Sequence, residues 1–308
     1  MNLSIILPVY NESDSIKILV DEIHAVLNDK YKYEIILIDD GSTDKSWDVI
    51  SQLDSVKAVK FKKNLGKSAA LDVGFLYASG TVAITMDSDL QDDPREIPAL
   101  YNMIIYDKYD LVSGWKKKRF DPISKTIPTK LYNWATRIMS GIHLHDFNCG
   151  LKAYSIDVIK DIRLSGEMHR YIPLLAKNAG YTNIGEKIIN HRKREFGQTK
   201  FGGWNRFSNG LLDLISISFL HKFGKAPMHL FGLLGMFFFM IGFLIAGYLT
   251  YAKLILLQFN MTDRPLFYLS MLCMIIGTQM FLAGFLGELI IRNKEVSHIE
   301  KIRQKIGF

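Results

Sequence analysis

The chain has 308 residues, a formal net charge of +7 at pH 7 and two cysteines, Cys149 and Cys273. A single hydrophobic core rarely grows much past about 250 residues, so the length predicts one large domain joined to a second part. Two isolated cysteines exclude a disulfide-built fold and favour a reducing compartment. The basic balance favours anionic partners such as a nucleotide, a lipid phosphate or an anionic leaflet.

Strands and helices alternate through the first hundred residues. Continuous apolar runs at Leu3–Val9, Tyr33–Asp39 and Val82–Met86 predict buried strands, with a weaker strand at Val56–Phe61. Strands separated by crossover helices are parallel, and apolar runs that do not alternate indicate strands covered on both faces. The predicted fold class is therefore α/β, with a Rossmann-like, mostly parallel sheet.

Polar residues follow three of these strands, at Tyr10-Asn11-Glu12, Asp39-Asp40 and Asp87-Ser88-Asp89-Leu90-Gln91. Ligands of open α/β sheets bind at the carboxyl ends of the strands, so these segments predict one site. Asp87 and Asp89 stand two residues apart on an extended segment and point the same way. Carboxylate and amide oxygens suit Mg²⁺ or Mn²⁺, which share their coordination with water and substrate phosphate. The alternative is a solvated turn, because D-x-D triplets are common.

The segment Asn64-Leu65-Gly66-Lys67-Ser68 opens a helix. Its glycine, its lysine and the free backbone N–H groups of a helix start predict a cradle for phosphate. The second glycine of a Walker loop is missing, so ATP hydrolysis is not indicated.

A basic stretch leads into a helix predicted at Thr129–Ser140. Five cations precede this helix: Lys116, Lys117, Lys118, Arg119 and Lys125. Its apolar face carries Leu131, Trp134, Ala135 and Ile138. Such a helix lies in a membrane interface or packs its apolar face against the core, and the sequence leaves both readings open. Further predicted elements are strands at Leu111–Gly114 and near Ile184–Asn190, and a helix near His169–Asn178.

The composition changes abruptly near residue 226. Leu230–Ala252 and Leu266–Gly287 are almost wholly apolar, and as helices both are long enough to cross the roughly 30 Å hydrocarbon layer. Lysines and arginines flank the outer ends of this pair, so the positive-inside rule predicts that both termini and the large domain face the cytoplasm. Met1 leads directly into the first strand, and no signal peptide is predicted. The motifs Gly242-x-x-x-Ala246 and Ala283-x-x-x-Gly287 permit close helix packing, within or between subunits.

These patterns predict four parts. They are a cytoplasmic α/β domain at 1–200, an amphipathic juxtamembrane helix at 201–225, a two-helix transmembrane hairpin at 226–292 and a cytoplasmic basic tail at 293–308.

The motifs together resemble glycosyltransferase family 2, in the branch that charges dolichol or undecaprenyl phosphate with a sugar. The matching segments are Leu7-Pro8-Val9-Tyr10-Asn11-Glu12, Asp39-Asp40-Gly41-Ser42-Thr43-Asp44, Asn64-Leu65-Gly66-Lys67, Asp87 to Pro94, Asp146 with Cys149-Gly150, and Arg194-Glu195-Phe196-Gly197-Gln198-Thr199-Lys200. They occur in the order of the family, and the C-terminal helix pair resembles its bacterial members. The resemblance implies a GT-A catalytic domain and, as a possible homo-oligomer, a tetramer.

The resemblance also implies a role for each matched side chain. The residues on the nucleotide sugar would be Pro8, Tyr10, Glu12, Asp39, Lys67, Asp87 and Ser88. Asp87, Asp89 and Gln91 would hold Mg²⁺ or Mn²⁺ against the diphosphate. Turn chemistry and helix capping are the alternative for Asp39 and Asp40, and a strand-end breaker is the alternative for Pro8.

The acceptor in this reading is a phosphate monoester, which is mostly dianionic at neutral pH and needs no strong base to attack. Asp146, which the resemblance offers as a base, is therefore interpreted as a positioning residue. We expect Arg192, Arg194 and Lys200 to orient the phosphates, since guanidinium and ammonium groups suit that task. The alternative is a basic juxtamembrane loop attracted to anionic lipid. The catalytic set is then Asp89, Asp146, Arg194 and Lys200.

The expected activity is inverting transfer of one sugar from a nucleotide sugar to polyprenyl phosphate at the cytoplasmic face of the inner membrane, for cell-envelope glycosylation. Two spans are too few for a polysaccharide pore, and the Gln-x-x-Arg-Trp element of processive synthases is absent from the sequence. The alternatives are another lipid acceptor, such as diacylglycerol, and a nucleotide-sugar-binding scaffold without turnover. The sugar stays open, a UDP-sugar is favoured over a guanosine donor, and no nucleic acid partner is indicated.

Overall fold

The computed structural model describes residues 2–28, 30–117, 133–134, 136–138, 140–193, 227–257, 261–292 and 302–307. The chain divides into two units, one formed by Met1–Leu214 with Val296–Phe308 and the other by Ile215–Glu295. Arg194, Lys200 and the juxtamembrane helix predicted at 201–225 lie outside the described residues.

A sheet of eight strands organises the first unit. The strands are β1 Leu3–Val9, β2 Tyr33–Asp39, β3 Val56–Phe61, β4 Val82–Thr85, β5 Leu111–Trp115, β6 Lys152–Ser155, β7 Ile184–Ile188 and β8 Ile302–Ile306. Their order across the sheet is β7-β5-β6-β4-β1-β2-β3-β8. The pairings β1–β2, β1–β4, β2–β3 and β5–β7 are parallel, and the other three are antiparallel. This sheet confirms the predicted α/β class.

Helices cover both faces of the sheet. They are α1 Ile16–Leu27, α2 Ser46–Ser51, α3 Lys67–Tyr77, α4 Ile97–Ile105, α5 Ile156–Asp161 and α6 Ile172–Asn178, with 3-10 turns at Pro94–Glu96 and Met168–Tyr171. Ile5 of β1 belongs to the core cluster that contains the buried face of α1, and Ile6 belongs to the cluster that contains α3. Consecutive strand residues are thus buried on opposite faces, as the continuous apolar runs predicted.

Two strands have no counterpart in the sequence-based prediction. Strand β6 inserts antiparallel between β4 and β5, and strand β8 pairs antiparallel with β3 at the edge of the sheet. The segment predicted as a basic tail at 293–308 therefore contributes Ile302–Ile306 to the sheet.

The second unit contains two long apolar helices, α7 Pro227–Leu254 and α8 Pro265–Arg292, joined through a 3-10 turn at Met261–Asp263. Both are long and apolar enough to cross a membrane, and only 17% of the most apolar window of each is buried within the protein. Helices of a soluble core are mostly buried, so this exposure favours a membrane environment.

Glycines mark the contact between these two helices. A Cβ atom at Gly235 or Gly277 would collide with backbone of the facing helix, and one at Gly242 would collide with the Ser270 carbonyl. Gly284 faces the Phe231 side chain. The glycines recur every seven residues in each helix, the repeat of a left-handed coiled coil. Close packing therefore occurs within one chain, with Gly242 as the member of the predicted motifs that lies at this contact.

Candidate active site

The turn after β2 is built by two adjacent carboxylates. Asp40 accepts hydrogen bonds from the backbone N–H groups of Leu65 (2.7 Å) and Gly66 (3.0 Å). Asp39 accepts one from Ser42 N–H at 2.8 Å, and its second oxygen lies 3.9 Å from the Lys60 ammonium. Burial raises the pKa of Asp40 to about 6 against the lowering effect of the two N–H donors. The turn-building interpretation holds for Asp40.

The same hydrogen bonds occupy backbone N–H groups of the phosphate cradle predicted at residues 64–68. The N–H groups of Leu65 and Gly66 are already used by Asp40, so they are not available to a ligand in this state. The Lys67 side chain forms an ion pair with Asp87 at the end of β4. What the start of α3 presents to the site is therefore mainly a lysine side chain.

Four carboxylates crowd the segment after β4. Burial, reinforced by the charges of Asp87 and Asp92, raises the pKa of Asp89 to about 6. Burial alone would also raise the pKa of Asp87, but the Lys67 and Lys116 ammonium groups outweigh it and hold this pKa well below its usual range. The ionised form is thus favoured at Asp87 by the lysines and disfavoured at Asp89 by burial and by like charges.

A second lysine supports this segment from β5. Lys116 lies 2.8 Å from the fully buried Asp92 carboxylate, whose other oxygen accepts the Asp87 N–H at 3.4 Å. Asp93 begins the 3-10 turn at Pro94 and accepts the Arg95 N–H at 3.1 Å. Asp92 and Asp93 therefore shape the turn, and so does Asp89, one oxygen of which accepts the Gln91 N–H at 3.2 Å.

Strand β6 brings a further part of the site against β4. Its register places Lys152 opposite Thr85, and the Thr85 hydroxyl donates to the Gly150 carbonyl at 2.9 Å. A Cβ atom at Gly150 would collide with the Asp87 carboxylate, so only glycine permits this approach. The Lys152 ammonium is buried and donates to the Cys149 carbonyl, and burial lowers its pKa.

Asp146 is almost fully buried, at 1% exposure. One carboxylate oxygen accepts the Asn148 N–H at 3.1 Å, and its backbone carbonyl accepts the Ser113 hydroxyl at 3.2 Å. This environment orders the loop before Cys149 and Gly150, which agrees with a positioning role.

The predicted nucleoside residues lie beside this cluster. The Pro8 carbonyl, at the end of β1, accepts the Ser88 hydroxyl at 3.0 Å. Ser15 donates to the Ser88 carbonyl at 2.7 Å, and the Glu12 N–H donates to the Ser46 hydroxyl at 2.9 Å. Tyr10 and Pro8 are partly exposed, whereas Asp39 is fully buried. The structure thus brings the ends of β1, β2 and β4 together, as predicted.

Of the three cations predicted to orient phosphates, Arg192 is the one within the described residues. Its guanidinium contacts both oxygens of Glu22, at 2.9 and 2.7 Å, and one oxygen of Asp93, at 2.8 Å. Both terminal nitrogens of Arg192 are therefore engaged by carboxylates of the protein.

The helical residues near 136 have a buried polar face and exposed apolar side chains. The polar Asn133, Thr136 and Ser140 are buried, whereas Trp134 and Ile138 are 58% and 63% exposed. Asn133 donates to the His145 carbonyl at 2.9 Å and thereby ties its polar face to the domain. The apolar pair does not pack in the core, so the interfacial reading fits better than core packing.

The acidic cluster fits a divalent cation. The carboxylates of Asp87 and Asp92 disfavour the ionised form of Asp89, which a cation would relieve, and hard carboxylate and amide oxygens are the donors that Mg²⁺ and Mn²⁺ prefer. Within the described ranges, no group of three or more His, Cys, Asp or Glu side chains is arranged to hold a metal ion. An ion held by Asp87, Asp89 and Gln91 would take its remaining ligands from water and substrate.

Sequence reasoning did not assign Lys116, Lys152 or His169 to the site. His169 is half-buried, contacts the Ser68 hydroxyl at 3.0 Å, and has its pKa lowered by desolvation. Lys152 and His169 are far in sequence from the acidic motif, and only the antiparallel insertion of β6 and the fold around α3 bring them near. Lys116 had a usable signal, since it directly follows strand β5.

The chain is similar to known proteins over most of its length. A family model described as glycosyl transferase family 2 matches residues 4–163. The chain is 34% identical over 300 residues to the dodecaprenyl-phosphate galacturonate synthase of Rhizobium johnstonii, covering 95% of this chain and 88% of that protein. It is 32% identical over 297 residues to the undecaprenyl-phosphate 4-deoxy-4-formamido-L-arabinose transferase of Pectobacterium carotovorum, covering 94% and 88%.

Solved structures share the fold of the first unit. Glucosyl-3-phosphoglycerate synthase from Mycobacterium tuberculosis, in complex with Mn²⁺ and UDP-glucose, superposes with a TM-score of 0.57 at 19% identity, covering 70% of this chain and 78% of that chain. Its complex with Mg²⁺ and UDP gives a TM-score of 0.56 at 20% identity. This similarity confirms the expected GT-A architecture.

Proposed function

The chain belongs to glycosyl transferase family 2, and we propose that it transfers one sugar, with inversion, from a UDP-sugar to undecaprenyl or another polyprenyl phosphate. The observation that carries this proposal is the similarity over nearly the whole chain to two enzymes whose names share a polyprenyl-phosphate acceptor but differ in the sugar. The product would be a lipid-linked sugar for cell-envelope glycosylation.

Asp87, Asp89 and Gln91 would hold Mg²⁺ or Mn²⁺ at the carboxyl end of β4. A bound divalent ion supplies Lewis-acid stabilisation of the charge that develops on the departing diphosphate. The crowding of Asp89 by the charges of Asp87 and Asp92 supports this assignment, because a bound cation would relieve that repulsion, and so do the cations found with the distant structural neighbours. Lys67, now paired with Asp87, is placed to shift its ammonium onto the diphosphate when the donor binds.

Pro8, Tyr10, Glu12 and Asp39 would hold the nucleoside. Their support is their position: β1 and β2 end side by side in register, with Val9 opposite Asp39. Ser88 links this region to the metal turn through its bond to the Pro8 carbonyl. A donor seated across both strand ends would therefore place its diphosphate next to Asp87 and Asp89.

The acceptor phosphate needs neutralisation and orientation more than deprotonation. We assign that task to Arg194 and Lys200, which lie in the matched family motif, while Asp146 positions the Cys149–Gly150 loop. A dianionic phosphate oxygen attacks the anomeric carbon from the face opposite the leaving diphosphate, which inverts the configuration. Arg192, with its ion pairs to Glu22 and Asp93, takes a different role, argued in the next subsection.

The membrane carries the acceptor. Helices α7 and α8 would span the inner membrane, and Trp134 with Ile138 would dip into the cytoplasmic interface, where aromatic and aliphatic side chains are favoured. Strand β8 follows the hairpin yet pairs with β3, so the chain on both sides of the hairpin belongs to one domain. This supports cytoplasmic placement of both termini. A homo-oligomer, with a tetramer as its form, remains part of the proposal.

The decisive experiment incubates the purified full chain in phospholipid micelles with a panel of labelled nucleotide sugars, Mg²⁺ and either polyprenyl phosphate or diacylglycerol. We expect labelled lipid with the phosphate acceptor alone, and its mass identifies the sugar. Product on diacylglycerol would indicate the other acceptor class. Donor binding without lipid product across the panel would indicate a scaffold and overturn the proposal.

A further inference from the structure

Residues 191 and 192 run alongside the metal turn. His191 and Asp92 form an isolated antiparallel bridge, and the Arg192 N–H donates to the Gln91 carbonyl at 2.8 Å. Two backbone segments about a hundred residues apart in sequence are therefore joined directly behind the predicted metal ligands.

The Arg192 side chain extends this junction to a helix. Its guanidinium bridges Glu22 on α1 and Asp93, the residue at which the next 3-10 turn begins. The side chain is 28% exposed, and a guanidinium that engages two carboxylates in fixed geometry is a strong, directional link. Arg192 thus joins three elements: α1, the start of the 3-10 turn, and the chain that leaves β7.

The turn held by this link is strained. Leu90 has φ of +62°, a left-handed conformation that is unfavourable for a residue other than glycine. Asp89 and Gln91 flank Leu90, so their side-chain directions depend on this conformation. Such strain persists only where the surrounding structure over-determines the backbone. The bonds from Arg192 to Gln91 and Asp93 are two such restraints.

We propose that Arg192 is a positioning residue that holds the Asp89–Gln91 turn in its cation-binding conformation. The inference rests on the proposed function, since it concerns the ion expected at Asp89 and Gln91. It assigns Arg192 to the donor side of the reaction, not to the acceptor phosphate.

The test compares Arg192→Ala with Arg95→Ala. Arg192→Ala keeps the backbone bond to Gln91 and removes the side-chain bonds to Glu22 and Asp93. Arg95 also binds Asp93 but makes no bond to Glu22, so it is the matched control. Hydrogen exchange at backbone amides, recorded without added metal, measures how stably the turn is held. We expect faster exchange at residues 90–93 and 190–193 in Arg192→Ala and no change there in Arg95→Ala.

Mn²⁺ affinity, measured by electron paramagnetic resonance, gives the second readout. Loss of a group that orients metal ligands typically weakens binding about 10- to 100-fold, and we expect a loss of that size for Arg192→Ala, with partial rescue by Arg192→Lys. Unchanged exchange and Mn²⁺ affinity, with a raised KM for polyprenyl phosphate alone, would overturn the proposal and return Arg192 to the acceptor site.

A second variant, Glu22→Gln, and the exchange experiment without metal test the same link independently. If Arg192→Ala fails to fold, Glu22→Gln removes one charge of the same network and should give the same changes at smaller amplitude. If the unaltered protein binds no Mn²⁺, the metal part of the proposed function fails, whereas the exchange experiment still decides whether Arg192 holds the turn.

Discussion

The ends of β2 and β4 both carry acidic pairs, yet the structure uses them in opposite ways. At β2, Asp40 gives both oxygens to backbone N–H groups, and the carboxylate closes a turn. At β4, lysines lower the pKa of Asp87, whereas burial and the charges of Asp87 and Asp92 raise the pKa of Asp89. The same sequence signal therefore produces a structural turn in one place and a candidate cation site in the other. What distinguishes them is the supply of donors: peptide N–H groups at β2, ammonium groups at β4.

The largest expected effect is the loss of sugar transfer on substitution of Asp89, at the end of β4. Asp89→Asn keeps the shape of the side chain but removes the charge that would hold the ion, and removal of a group that stabilises developing charge typically costs 10²–10³ in rate. We expect sugar transfer to fall by about that factor, with loss of Mn²⁺ binding and an unchanged unfolding midpoint. An active variant with normal Mn²⁺ binding would remove the distinction drawn here.

The corresponding change at β2 should act on stability. Asp40→Ala leaves the Leu65 and Gly66 N–H groups without their acceptor, which costs about 1–3 kcal/mol of unfolding free energy. Urea titration in micelles, followed by tryptophan fluorescence, measures this loss. Folded Asp40→Ala should keep its transfer rate within a few-fold. A rate loss as large as that of Asp89→Asn would place Asp40 in the catalytic machinery instead.

Two glycines sharpen the same contrast. Gly150→Ala drives a methyl group into the Asp87 carboxylate, so we expect about a tenfold loss of transfer and Mn²⁺ affinity. Gly41, at φ +69°, lies against the Lys63 backbone, and Gly41→Ala should instead lower the unfolding free energy by about 1–3 kcal/mol. If Gly41→Ala weakened Mn²⁺ binding more than Gly150→Ala did, the two regions would not be separable.

The smallest effect is a pH dependence. The pKa of Asp40 is raised to about 6 by burial, so the folded state holds this proton more tightly than the unfolded chain does. Its contribution to stability is greatest below the unfolded pKa near 4 and is lost as the pH rises through about 6. The unfolding free energy of Asp40→Asn relative to the unaltered protein should therefore rise between pH 4 and pH 6. A difference that stays constant over this interval would contradict the assigned cause.

Local pattern was enough to predict the parallel core. Strands β1, β2 and β3 were predicted with the bounds that the structure shows, because their apolar runs are continuous and end at polar turns. Helix α1 buries five apolar residues at helical spacing, which are Ile16, Leu19, Val20, Ile23 and Leu27. Convergence of the three strand ends then follows from parallel geometry alone.

Contacts distant in sequence were not predictable in this way. Strand β6 has four residues, begins with a buried lysine and pairs antiparallel. Its sequence pattern therefore does not predict that Lys152 lies close to Asp87. The hydrogen bonds from the Leu65 and Gly66 N–H groups to Asp40 require that two loops lie close together, and the sequence spacing of these residues does not predict that contact. The orientation of Trp134 and Ile138 depends on which face of the helix finds hydrogen-bond partners, here the polar one.

Strand β8 has a practical consequence for work on the isolated catalytic domain. A version that stops before α7 would leave the β3 edge unpaired, and exposed strand edges promote aggregation. Joining residues 302–307 to such a version through a flexible linker would restore the missing hydrogen bonds. The fragment best suited to crystallisation in water is therefore discontinuous in sequence.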